Sequence, residues 1–165
     1  MFLKVLMLKQ DDPRKCSAAK LVKFGLAKPV TRTASRTLIL NPFSKKILLK
    51  SDKKSVNSIT GIDCSWNLIT STFKKPFTGI SRKLPPLLAG NPMNYSKLNK
   101  LSTVEALAGA VYILGEPDLT HNLLQKFKWG NTFFELNKNL LQDYSKAQSE
   151  AELLEICHEY RLANA

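Results

Sequence analysis

Acidic residues are scarce in the first hundred positions, where only Asp11, Asp12, Asp52 and Asp63 stand against 20 Lys and Arg. Asp63 is the single acid between Asp52 and Glu105, and one carboxylate without close partners makes a poor magnesium site. A metal-dependent nuclease is therefore the weakest reading. Cysteine is scarce too. Cys16, Cys64 and Cys157 lie far apart with no CxxC, which argues against a disulfide framework and a structural zinc site and leaves free thiols in a reducing compartment. No GxGxxG or GxxxxGK[ST] occurs, so neither common phosphate-cradling loop is present. No apolar run approaches the roughly eighteen residues that read as a membrane span. The opening MFLKVLMLK is short, interrupted by Lys4 and followed by no small-residue cleavage site, so it reads as a strand and not as a signal peptide. A soluble, cytoplasmic protein without metal is expected. His121 and His158 have no nucleophile motif nearby and read as structural.

What is present is positive charge, sharply segregated. The net charge of +12 divides into +16 over residues 1–100 and −4 over residues 101–165. So one-sided a field concentrates polyanions and favours RNA or DNA over a neutral metabolite. The plainer alternative is a solvated basic face kept for solubility. With 165 residues, 44% of them hydrophobic, the chain can form one compact domain or two small ones sharing a core.

Apolar runs at Phe2–Leu8, Thr37–Leu40 and Ser58–Ser65 read as buried strands. Lys46–Leu49 is a candidate short strand, and Ser51 a candidate cap for a brief helix. Arg14–Phe24 carries Ala18, Leu21, Val22 and Phe24 at helical spacing, with Gly25 as a stop. Residues 70–83 read as a long basic loop. Leu84–Ala89 is apolar, but Pro85 and Pro86 leave it an edge position or a loop. Beyond Ser102 the period becomes helical. Ser102-x-x-Glu105 is a capping box before a helix closing at Gly115. Asp118 opens a second helix, Phe133, Leu136, Leu140 and Leu141 mark a third, and Ser149-x-x-Glu152 caps a fourth. The pattern is α/β, with an α/β half over residues 1–88 and an all-helical half over 89–165.

Three segments carry candidate chemistry. Asp63-Cys64-Ser65-Trp66 follows a buried strand, where ligands sit in open α/β sheets. There a carboxylate can hold an ammonium or take a proton, and Trp66 can wall a cation; equally, Asp63 can cap a turn and Trp66 can be core. Asp12 to Ser17 joins a turn, a helix start and a hydroxyl, an arrangement suited to anions but common in βα turns. Asn91 to Leu107 is a polar, basic loop leading into a capped helix, or simply a linker.

Taken together, DDPRKCSAAKLVKFGLA (11–27), ILNP (39–42), IDCSW (62–66), KLPPLLAGNPMNYSKLNKLSTVEALAGAVYILG (83–115) and FKWGNTFFELNKNLL (127–141) resemble the small-subunit rRNA aminocarboxypropyltransferases of archaea and eukaryotes. The resemblance implies a SPOUT-like knotted fold, with the helical half completing a cofactor pocket on a basic, RNA-facing α/β half. It implies S-adenosylmethionine as co-substrate, no metal, and small-subunit rRNA or the pre-ribosomal subunit as partner of a monomeric enzyme. It further implies that Ser17 meets the methionine carboxylate. Ile62 and Leu84 offer main-chain contacts, Asn99 and Thr103 complete the nucleoside pocket, and Trp66 walls the methyl side of the sulfonium. Asp63 sits near the methionine amino group and assists proton removal from the target base. Arg14, Lys15, Lys20 and Arg82 are candidates for RNA phosphates. Three positions depart from the family pattern: Ser17 replaces a common threonine, Asn99 a common aromatic, and Lys97-Leu98 a lysine-proline pair. The rivals are a SPOUT-type rRNA methyltransferase and a non-enzymatic rRNA-binding assembly factor.

Overall fold

The computed structural model describes residues 1–10 and 12–162, so Asp11 and residues 163–165 lie outside it. Strands β1 (Phe2–Met7), β2 (Lys28–Val30), β3 (Thr37–Leu40), β4 (Ser58–Asp63) and β5 (Ile80–Arg82) form a sheet of order β2-β1-β4-β3-β5. Every pairing in it is parallel. All four residues of β3 and the first four of β4 are buried, as expected of inner parallel strands covered on both faces. Three buried hydroxyls on these strands satisfy one another: Thr37 and Thr60 lie 2.7 Å apart, and Ser58 donates to Thr37 at 2.9 Å.

Among the described residues, six α-helices accompany the sheet: α1 (Ser17–Lys23), α2 (Ile69–Thr72), α3 (Thr103–Ile113), α4 (Pro117–Leu124), α5 (Gly130–Lys146) and α6 (Glu150–Glu159). Helix α3 begins at its expected capping box, with Ser102 accepting from Glu105 N–H and Glu105 accepting from Ser102 N–H. It is buried on nearly every side, because it lies between the sheet and the helices that follow. Gly61 permits this approach: a Cβ there would stand 3.1 Å from the Thr103 methyl. One apolar core runs from Leu3 to Cys157 and joins both halves of the chain.

The elements depart from the sequence expectations in several places. Helix α1 starts at Ser17 and not at Arg14, because Asp12 to Lys15 close a turn first and Cys16 caps the helix by accepting from Ala19 N–H. Its end is as expected: Gly25 at φ +69° lets Gly25 and Leu26 donate back to Val22 and Leu21. Strand β2 was not expected, and as an edge strand it tolerates Pro29. Strand β5 falls inside the segment read as a basic loop. Lys46–Leu49 makes only an isolated bridge, Ile47 to Lys83, and Leu84–Ala89 is a loop with one bridge, Leu88 to Leu98. The brief helix is a 3-10 turn, Lys50–Ser55, fastened by Asp52 accepting from Leu49 N–H at 3.0 Å and not by Ser51. Pro117, not Asp118, is the first residue of α4. Phe2, read as part of a buried strand, is 75% exposed.

Candidate functional site

From the carboxyl end of β1 the chain turns through α1 to β2, on one side of the sheet. From the end of the adjacent β4 it leaves towards β5, on the other side. Loops that diverge in this way open a crevice, the position at which open α/β sheets take their ligands. Asp63, opposite Met7 in register, stands at its edge. A cavity of about 940 Å³ opens there, and its walls come from the loops after β1, β3, β4 and β5 and from the segment leading into α3. Ser17, Ile62, Asp63, Trp66, Leu84, Asn99 and Thr103 all line it.

Asp63 ties three of these walls together. One carboxylate oxygen accepts from the Cys16 thiol at 3.1 Å and the other from the Thr103 hydroxyl at 3.0 Å. Both donors are neutral, so the carboxylate is oriented without an opposite charge from either. Burial, reinforced by the neighbouring Asp63 carboxylate, pushes the Cys16 thiol up to about 11, and it therefore remains a donor at neutral pH. A group that holds its proton more tightly when folded stabilises fully below its unfolded value, about 8.5 for cysteine, and loses that contribution as the pH rises towards 11. The thiolate absorbance that disappears in Cys16→Ala is accordingly expected to have its midpoint near 11 in the native protein. A midpoint at the ordinary cysteine value would contradict this environment.

Ser17 Oγ accepts from Val104 N–H at 3.2 Å, linking α1 to the first turn of α3 while the residue still lines the cavity. Asn99 sits at φ +61°, a left-handed conformation that asparagine adopts more readily than most residues. Its N–H donates to Leu87 O at 2.8 Å, and its side-chain oxygen accepts from Leu87 N–H at 3.3 Å. Trp66 is half-buried on the 3-10 turn Trp66–Leu68, with Lys100 Nζ 4.5 Å from its ring centroid, so the ring already draws a cation.

Of the four basic candidates, Lys15 stands on the cavity wall and the other three do not. Arg14 pairs with Asp12 at 3.2 Å on an exposed loop. Lys20 Nζ lies 5.8 Å from the Phe127 ring centroid. Arg82 is mostly buried and bound to Asp52 at 3.0 Å, so its charge already has a partner. His121 packs edge-on against Phe134, whereas His158 lies on the cavity wall.

The sequence marks Glu105 only as a helix cap, yet this fully buried carboxylate organises the loop that forms one side of the site. Oε1 accepts from the N–H groups of Gly90 (2.7 Å) and Asn91 (3.0 Å). Oε2 accepts from the Asn91 side chain (2.8 Å) and Ser102 N–H (2.7 Å). Two further clamps hold the preceding segment. Asn137 accepts from Leu88 N–H and donates to Leu88 O, both at 2.8 Å, and the Tyr144 hydroxyl donates to Pro86 O at 2.9 Å. The capping spacing signals the Ser102 contact alone; the other partners meet only on folding.

A cavity at the switch point of a parallel sheet, closed by a helix-clamped loop, defines an α/β protein that binds a ligand across its strand ends. Residues 38–161 match the family described as "Ribosome biogenesis protein, C-terminal". Relatives named 16S rRNA aminocarboxypropyltransferase include one from Methanococcoides burtonii, 39% identical over 96% of this chain and 94% of its own. Another, from Sulfurisphaera tokodaii, is 43% identical over 89% and 87%. A solved structure, the SAM-dependent rRNA:acp-transferase Tsr3 from Vulcanisaeta distributa, is similar at a TM-score of 0.85 and 36% identity, covering 98% of this chain and 91% of that one. The chain belongs to the 16S rRNA aminocarboxypropyltransferase family. Residues 4–35 also match a "Possible Fer4-like domain in RNase L inhibitor". That stretch holds one cysteine, Cys16, and the whole chain three, too few thiolates for a four-cysteine iron–sulfur cluster. No group of three or more metal-ligating side chains occurs among the described residues. No helix among them is long and apolar enough to cross a membrane.

Proposed function

We propose that this protein transfers the 3-amino-3-carboxypropyl group of S-adenosylmethionine to N3 of a (methyl)pseudouridine in small-subunit rRNA, releasing 5'-methylthioadenosine. The observation that carries the reading is one cavity at the sheet's switch point lined by all seven residues expected to hold the cofactor. At about 940 Å³ it lies near the top of the roughly 300–1,000 Å³ range of small-molecule sites, with room for the cofactor beside a base.

The sulfonium activates all three attached carbons, so the choice of carbon is a matter of position. Trp66 walls the methyl side, and Asp63 faces the methionine ammonium. Ser17 and the α1 start receive the carboxylate, while Leu84, Asn99 and Thr103 enclose the nucleoside and Ile62 offers its main chain. The bond from N3 to the side-chain methylene forms as the methylene–sulfur bond breaks. N3 loses its proton, and Asp63 is the group placed to assist. Lys15 is the basic candidate on the cavity wall, with Arg14 before it and Lys20 after it in the same segment and Arg82 held as a fixed charge by Asp52.

For the whole molecule the reading is a monomer working on rRNA or a pre-ribosomal particle in the cytoplasm. Residues 1–88 face RNA, and 89–165 form the helical half that completes the pocket. We read the path as the SPOUT-like knot that the family resemblance implies, with which the all-parallel sheet is compatible.

The spent cofactor tests the reaction. Methylthioadenosine in the RNA-dependent reaction supports it, and adenosylhomocysteine would make the protein a methyltransferase. Trp66→Ala is expected to weaken S-adenosylmethionine binding at least ~10-fold through lost apolar contact. Calorimetric affinity equal to wild type would place Trp66 outside the pocket.

A further inference from the structure

Against the cavity wall, three phenylalanines from two loops pack together. Phe73, on the cavity wall, lies with its ring centroid 6.0 Å from Phe43 and 5.6 Å from Phe77, the second pair edge-on. Such tilted and edge-on contacts fix the planes of the rings. Phe73 and Phe77 are half-buried and fasten the two loops together, but Phe43 is 54% exposed. Its backbone is also set, because Asn41 accepts from Phe43 N–H at 2.9 Å, and Asn41 and Pro42 are themselves part of the cavity wall. An aromatic ring held against Phe73 is thus presented to solvent next to the cavity wall.

Its surroundings indicate what lands on it. Lys45 and Lys46 follow Phe43 closely in the sequence, and Lys74 and Lys75 follow Phe73 directly; all four are exposed and none is in an ion pair among the described residues. No acid occurs from Cys64 to Val104 or from Lys28 to Ser51. An exposed aromatic set in uncompensated positive charge matches single-stranded RNA, which stacks bases on such rings and lays its phosphates along cations. A protein partner with an apolar patch would gain nothing from the lysines.

We propose that Phe43, backed by Phe73 and Phe77, is a stacking platform for a nucleotide flanking the one whose base enters the cavity. The four lysines carry the adjoining phosphates. This rests on the rRNA reading above and deepens it, by naming where the strand leaves the active cavity and by requiring that the target be unpaired there.

The test uses the whole chain, S-adenosylmethionine, and a single-stranded RNA oligonucleotide covering a small-subunit rRNA loop. Phe43→Ala is expected to weaken RNA binding about 10-fold, within the span of one base–aromatic stack, and to leave S-adenosylmethionine affinity unchanged. Phe43→Trp restores binding. Lys74→Ala with Lys75→Ala lowers the slope of log affinity against log salt by about 1.4, at ~0.7 per single-strand phosphate contact. RNA affinity unchanged in Phe43→Ala, with wild type binding normally, overturns the proposal and leaves the ring to a protein surface. Wild-type protein that binds S-adenosylmethionine but no RNA defeats the rRNA reading and this inference with it.

Discussion

Glu105→Ala is expected to destabilise the protein by about 4 kcal/mol or more and to abolish measurable S-adenosylmethionine binding before the chain unfolds. Four donors converge on this carboxylate in a site with no exposure to solvent: the N–H groups of Gly90, Asn91 and Ser102 and the side chain of Asn91. Alanine leaves the three N–H groups unpartnered and the Asn91 side chain with only the Lys100 carbonyl at 3.3 Å, at roughly 1–3 kcal/mol for each group that water does not reach. Against a typical total of about 5–15 kcal/mol, that is a large fraction of all the stability there is. The loop cannot settle closer to compensate, because Gly90 already abuts Phe133, where a Cβ would meet the backbone nitrogen at 2.5 Å. Glu105→Gln retains one oxygen but turns an N–H₂ towards donors, so an intermediate loss of about 2 kcal/mol is expected. Urea unfolding with parallel calorimetric titration measures both effects. A loss below about 1 kcal/mol in Glu105→Ala would show that the loop is held by other means.

Asp63→Asn is expected to have the opposite profile, with turnover falling at least ~100-fold while stability changes by only about 1 kcal/mol. The amide keeps the shape of the carboxylate and one acceptor oxygen; its N–H₂ replaces the other oxygen and faces either the Thr103 hydroxyl or the Cys16 sulfur, each of which can turn to accept, so the three walls stay joined. What goes is the negative charge, which is the partner for the ammonium and the acceptor for the N3 proton. Positioned proton transfer contributes typically ~10²–10⁴-fold. If Asp63 only orients the cofactor, the cofactor's KM rises and kcat holds; if it also takes the proton, kcat falls. Full activity in Asp63→Asn removes the residue from the mechanism.

How much could be read in advance depended on the range of the interactions involved. The box at Ser102 and Glu105 and the stop at Gly25 are local backbone chemistry, and both stand where the residues place them. The apolar run ending in Asp63 shows a strand end, and strand ends in a parallel sheet are where ligands gather. Strand β5 has no comparable signal: Ile80-Ser81-Arg82 is three residues long and amphipathic, and it becomes a strand only because β3 offers an open edge. Arg82 looks like a free cation in the sequence, yet Asp52, thirty residues earlier, claims it. The clamps from Asn137 and Tyr144 onto residues 86–88 join segments more than forty residues apart, and no spacing rule reaches that far. The wall of the site is therefore legible in its motifs, whereas the framework that holds it is not.

The most direct test supplies S-adenosylmethionine labelled in the carboxyl carbon of its methionine part, or separately in its methyl group, to the protein and small-subunit RNA. Aminocarboxypropyl transfer puts the carboxyl label into RNA and leaves the methyl label in methylthioadenosine. Methyl label in the RNA, or neither label there, would contradict it.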